Sequence, residues 1–135
     1  MTPSESTYGK IAIEAHKKAA GGMDARIAWE TTAANALAHS PTGVRKSCPK
    51  MAFVSLAYAG QIVGVQGEPE KSPSANGDYA LAALKLLRQE SSYHSDPAEL
   101  WQKVMALLGV KKKHNSQMNV VIALWNERLF NDQSA

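Results

Sequence analysis

Apolar residues along this chain recur at helical spacing in separate stretches, each bounded by residues that start or stop a helix. Tyr8, Ile11, Ala12, Ala15 and Ala19 share one face after the capping candidates Ser6 and Thr7, and Gly21-Gly22 supplies the stop. Asp24 is a natural N-cap for a second helix, which sets Ala25, Trp29, Ala33, Ala36 and Leu37 on one side and ends at Ser40, Pro41 and Gly43. A third opens at Ser47-Cys48-Pro49, where a proline near the first helical position loses no hydrogen bond, and closes at Gly60. Its stripes, Phe53, Leu56 and Ala57 on one side and Met51, Val54 and Tyr58 on another, predict a helix apolar on most sides and central.

Gln61 to Val65 is too short and glycine-bounded for a strand and is expected to lay Ile62 and Val65 against the core. The Gly-, Pro- and Ser-rich stretch 66–76 reads as a mobile loop. Ala80, Ala83, Leu84 and Leu87 mark a fourth helix after Asn76-Gly77-Asp78, and a polar connection runs to Ser95. Asp96-Pro97-Ala98-Glu99 has the form of a capping box for a fifth, with Leu100, Trp101, Val104, Met105 and Leu108 inward and Gly109 as its end. After the basic turn Lys111-Lys112-Lys113, a sixth begins near Asn115 and carries Met118, Val121, Ile122, Trp125 and Leu129 on a stripe widened by Val120, Ala123 and Leu124. No period recurs between these segments, so the prediction is an all-α, compact single domain of about five or six helices over 1–135, frayed at 1–6 and 131–135.

Composition agrees with one globular domain: 135 residues, 44% hydrophobic and 20% charged. The single cysteine, Cys48, excludes an internal disulfide and fits a reducing compartment. The polar N-terminal stretch shows no signal-peptide pattern, and the apolar runs Met51–Ala59 and Val120–Trp125 fall far short of the roughly 20 residues a membrane span needs, so a soluble cytoplasmic protein is expected. The formal net charge of +3 implies weak attraction to anions rather than dedicated nucleic-acid binding.

Three segments resemble an uncharacterised family of short bacterial proteins, a domain of unknown function. They are Ser47-Cys48-Pro49-Lys50-Met51-Ala52-Phe53, then Tyr79-Ala80-Leu81 with Ala83 and Leu86-Leu87, then His114-Asn115-Ser116-Gln117-Met118-Asn119-Val120-Val121 followed by Ala123-Leu124-Trp125. Tyr8-Gly9-Lys10 and Ala28-Trp29-Glu30 resemble it as well, so the similarity spans nearly the whole chain. It implies the extent of the domain and no activity.

Chemistry concentrates in the cluster His114 to Asn119, where an imidazole, several carboxamides and a hydroxyl crowd one helical turn. Helical spacing puts Asn115, Asn119 and Asn126 on one line near Ser116, and His114 with Gln117 on a neighbouring line. The favoured structural role has Asn115 or Ser116 capping the last helix and Asn119 bonding a neighbouring loop, which leaves His114 and Gln117 for outward contact. Cys48, at a helix start beside Arg45, Lys46 and Lys50, is the one nucleophile candidate, and His114 or His16 could serve as its base. His16, His39, His94 and His114 lack metal-ligand spacing, and neither a metal nor a cofactor is expected. Trp29, Trp101 and Trp125 sit on apolar faces and are expected in the core with their indole N–H groups bonded internally.

The sequence therefore points to a binding domain that uses a polar patch of His114, Asn115, Gln117, Asn119 and Lys50, its partner a protein or a small anionic molecule. Anion or nucleic-acid binding through Arg45, Lys46 and Lys50 with Lys111, Lys112, Lys113 and His114 is the first alternative, nucleic acid being the less favoured ligand. A hydrolase or transferase dependent on Cys48 is the second. No membrane association is expected.

Overall fold

The structure, a computed structural model, describes residues 6–68, 70–71 and 75–133. Helices α1 (Thr7–Ala20), α2 (Ala25–Ala36), the single turn α3 (Pro41–Val44), α4 (Ser47–Tyr58), α5 (Ala75–Gln89), α6 (Pro97–Leu108) and α7 (Gln117–Asn126) follow one another, with a 3₁₀ turn at Ser91–Ser95. The chain is all-α: the described residues form no strand, only an isolated antiparallel bridge between Ile62 and Phe130. None of the helices is long and apolar enough to cross a membrane.

Helix boundaries follow the local chemistry of the chain. Ser6 Oγ accepts the Gly9 N–H at 3.1 Å, Asp24 accepts from Arg26 and Ile27 at 3.1 and 3.2 Å, and Asp96 accepts from Glu99 at 3.0 Å. Caps of this kind stabilise by about 1 kcal/mol each. Gly109 ends α6 in the left-handed region at φ 68°, where its N–H reaches the Met105 carbonyl. A residue without Cβ enters that region at least cost.

α4 lies at the centre, buried from Ala52 through Tyr58 and packed on α2, α5 and α7. Trp29, Phe53, Leu56, Leu84, Leu87, Leu100, Met118, Ile122 and Leu124 are fully buried around it. Ile62 joins them, its bridge to Phe130 closed by hydrogen bonds from Val63 N–H to Leu129 O at 2.8 Å and Asn131 N–H to Gln61 O at 2.9 Å.

Several expectations change. Leu108 is 39% exposed rather than inward: spacing keeps it on the side of the buried Trp101 and Val104, but it is the last residue of α6, past the part of the helix that its neighbours cover. Ala36 is exposed at the end of α2. The expected loop 66–76 is shortened by α5, which already begins at Ala75. In this segment Glu68 N–H donates to Tyr58 O at 2.7 Å and Lys71 Nζ to Asp24 Oδ1 at 3.0 Å. Ser6 is the N-cap of α1, and Asn131 and Gln133 reach Gly60 O and Trp125 O at 2.8 Å each. Residues 1–5, 69, 72–74 and 134–135, which carry the rest of the fraying and loop expectations, lie outside the described residues. Trp101 Nε1 donates to Lys112 O at 3.0 Å as expected of a buried indole, but Nε1 of Trp29, whose ring packs against those of Tyr8 and Phe53, has no hydrogen-bond partner among the described residues.

Candidate functional site

The polar cluster before α7 is not helical over its whole length, and this decides which of its side chains face where. Ser116 adopts a left-handed conformation at φ 71° and supplies no side-chain cap, so α7 begins at Gln117. His114 performs the capping instead: its Nε2 accepts the Met118 N–H at 3.1 Å. Only a neutral ring with its proton on Nδ1 can accept there. The ring packs against Trp101 with centroids 5.3 Å apart, and burial, with the nearby Lys46 charge, holds its pKa below the ordinary histidine value.

Gln117 is turned inward and 2% exposed, so the outward contact expected of it is not made. Its Oε1 accepts the Asn115 N–H and its Nε2 donates to Asn76 Oδ1 at 2.9 Å, which fastens the start of α7 to the start of α5. Asn115 and Ser116 therefore do not cap α7. Asn119 is half-buried and its side chain makes no hydrogen bond to a neighbouring loop among the described residues, and Asn126, which is exposed, bonds His94 O at 3.3 Å. Gln117 and Asn119 both lie in the first turn of α7, about 200° apart, and it is the Gln117 side that faces the start of α5 and is covered.

Of the predicted site residues, Asn115 meets the start of α4. Together with Tyr8, Thr42, Arg45, Lys46, Ser47 and Cys48 it lines an open cleft of roughly 650 Å³ in which no acidic residue takes part. Helix α4 starts here with no side-chain cap and no acidic residue in its first turn, so its first N–H groups and the positive end of its dipole are not compensated by the chain. Arg45 and Lys46 take part in none of the ion pairs among the described residues. Lys46 Nζ lies 5.1 Å above the Tyr8 ring, which stacks in turn on Trp29. Tyr8 Oη donates to Gly43 O at 3.0 Å and so fixes the α3 turn that forms one wall. Tyr8 and Thr42 had no signature as site residues: Tyr8 falls on the apolar stripe of α1, and only the fold brings its polar end beside residues 43–48.

The other predicted residues stand elsewhere. Lys50 turns to Glu30 at 3.3 Å. Lys111 and Lys112 line a separate groove with Trp101 and Met105, so the two basic segments do not converge in one cleft. Lys113 is exposed and borders neither. Cys48 is half-buried in the cleft wall, but no hydrogen bond joins it to His114, whose Nε2 is engaged by Met118, and His16 Nε2 is bonded to Val63 O at 2.8 Å. No hydrogen bond therefore links Cys48 to either base named for the cysteine-enzyme alternative. No group of three or more His, Cys, Asp or Glu among the described residues is placed to hold a metal ion. A more voluminous cleft of about 870 Å³ is lined by residues that include Arg88 and Arg128, but it also holds Glu90 and Asp132, and Arg88 is spent on Gln61 and Asn131.

No curated protein and no solved structure matches the chain. A family model matches residues 5–131, nearly the whole chain, and the chain belongs to that family, DUF6979, a family of unknown function.

Proposed function

We propose that this chain is a binding domain for a small anionic molecule carrying a phosphate or carboxylate group, held in the cleft between the α4 start and Asn115. The carrying observation is that Arg45 and Lys46 stand there with no ion-pair partner among the described residues, beside a helix N-terminus that has no side-chain cap. Cations beside a helix start at one cleft favour an anion by charge and by hydrogen bonding together. Ser47, Thr42 and the Asn115 carboxamide add neutral donors to the same wall. Nucleic acid is the weaker reading, since Lys111 and Lys112 line a different groove.

Thermal melting in inorganic phosphate, with sodium chloride at matched ionic strength as reference, tests the proposal. Phosphate raises the melting temperature steeply around its Kd and then in proportion to the logarithm of its concentration if the site exists, whereas exclusion of phosphate from protein surfaces in general gives a rise roughly linear in concentration. Lys46→Glu loses the logarithmic part and Lys113→Glu keeps it. An equal response of the parent protein and Lys46→Glu rejects the site, and tight, strongly salt-dependent binding of generic RNA or DNA rejects it in favour of the nucleic-acid reading.

A further inference from the structure

Leu107, Leu108 and Val110, at the end of α6 and just beyond it, are 49%, 39% and 36% exposed. They make up half of the large hydrophobic side chains exposed among the described residues, and they stand together. A scattered exposed leucine needs no explanation, but three adjoining apolar side chains do. Val110 borders two grooves. One runs along α5, with Leu81, Ala82 and Leu107 in its wall, and the other runs along α6, with Trp101, Met105 and Ala106. Lysines rim both: Lys85 beside the first, Lys111 and Lys112 beside the second, against Asp78 as the single carboxylate. None of the three lysines takes part in an ion pair among the described residues. This surface shares no lining residue with the anion cleft.

We infer that these paired grooves dock an acidic amphipathic helix of a partner protein. Two of its apolar side chains enter on either side of Val110, and its carboxylates meet Lys85, Lys111 and Lys112. Apolar anchors spaced along one helical face are how a helix fills a divided groove, and an apolar floor with an unpaired basic rim selects that helix by the sign of its charge. A second copy of this chain fits less well, because a two-fold dimer lays the same patch on itself and sets lysine against lysine. Grooves parted by a ridge likewise suit a narrow helix better than the flat face of a bilayer.

Selection of displayed random peptides on the full-length chain tests this. Enrichment of sequences with apolar residues at helical spacing, interleaved with Asp and Glu, is the expected result. Fluorescence anisotropy of an enriched peptide then shows binding that weakens with salt. Leu107→Glu and the double change Lys111→Glu with Lys112→Glu each weaken it roughly tenfold or more. Lys46→Glu does not alter it. Leu107 and the three lysine side chains are outside the core, and unchanged melting temperatures verify that these variants fold. The inference is overturned by a basic or uncharged consensus, by absence of enrichment, by affinity indifferent to Leu107→Glu, by Leu107-dependent dimerisation without peptide binding, or by Leu107-dependent binding to phosphatidylserine vesicles with none to peptide.

Discussion

Replacing Gln117 with leucine separates a structural amide from a ligand-binding one. The leucine occupies nearly the same volume in a site that is 2% exposed, so packing is largely kept, while both hydrogen bonds are lost. The Asn115 N–H loses its acceptor and Asn76 Oδ1 its donor. A fully buried unpaired polar group costs about 1–3 kcal/mol. Asn115 and Asn76 are only partly buried and water can reach them in part, which sets the total near 2 kcal/mol, less a small gain from the more apolar side chain. With an unfolding entropy of about 2.1 cal/mol/K per residue, a chain of 135 residues loses roughly 7 °C in melting temperature for that amount. Circular dichroism melts and urea titrations of Gln117→Leu, Asn76→Ala and the double variant provide the measurement. The double variant should be less destabilised than the two single changes combined, because both remove the same bond. An unchanged or raised melting temperature in Gln117→Leu, or strict additivity in the cycle, would falsify the view that Gln117 clamps α7 to α5.

Stability should also fall with acidification near neutrality through His114. Its pKa is depressed in the fold by burial and by Lys46, so the unfolded chain takes up the proton more readily; the contribution is whole above about pH 6.5 and is lost as pH drops through the folded value. Urea midpoints measured between about pH 7.5 and 5.5 should show a slope that His114→Phe flattens, and an identical slope in the variant refutes the capping role. Glycine substitutions divide steric from conformational cost. A Cβ at Gly67 would sit 2.9 Å from Gly60 Cα, a backbone atom that cannot swing aside, so Gly67→Ala should cost about 1–3 kcal/mol in urea denaturation. At Gly109 a Cβ meets nothing within 4 Å but φ is +68°, so Gly109→Ala should cost about 1–2 kcal/mol and Gly109→Asn less; equal losses for alanine and asparagine would contradict the backbone explanation.

Where helices begin and end, and which faces they bury, was legible in the sequence wherever the cause is local. Ser6, Asp24 and Asp96 cap the helices they precede, Gly109 ends α6, and the two apolar stripes of the Cys48 segment fold into the buried central α4. These assignments depend on side-chain-to-backbone bonds and on periodicity within a few residues, so one sequence suffices. Legibility failed at residues 114–119, where His114 folds back to Met118 and a left-handed Ser116 breaks the helical register. Periodicity also named Asn119 where Gln117 is the buried amide, because the whole helix is largely buried and spacing alone does not say which side of its first turn meets α5. Spacing also turned Leu108 inward, because it cannot tell where a neighbouring helix stops covering the last turn of another.

Tertiary structure alone decided which distant residues share a space. Asn115 meets Lys46, Ser47 and Cys48, while Lys50 is drawn to Glu30 and Lys111 and Lys112 to a separate groove, although all were equal candidates as a string of letters. Tyr8 reaches Gly43 across 35 positions of chain, a contact set by how α1 packs on α2 and where α3 turns. Capping and amphipathicity are short-range and are written into the sequence. Convergence of a cation, a hydroxyl and a carboxamide on one cleft depends on helix-packing geometry summed over the whole chain, which no local pattern encodes.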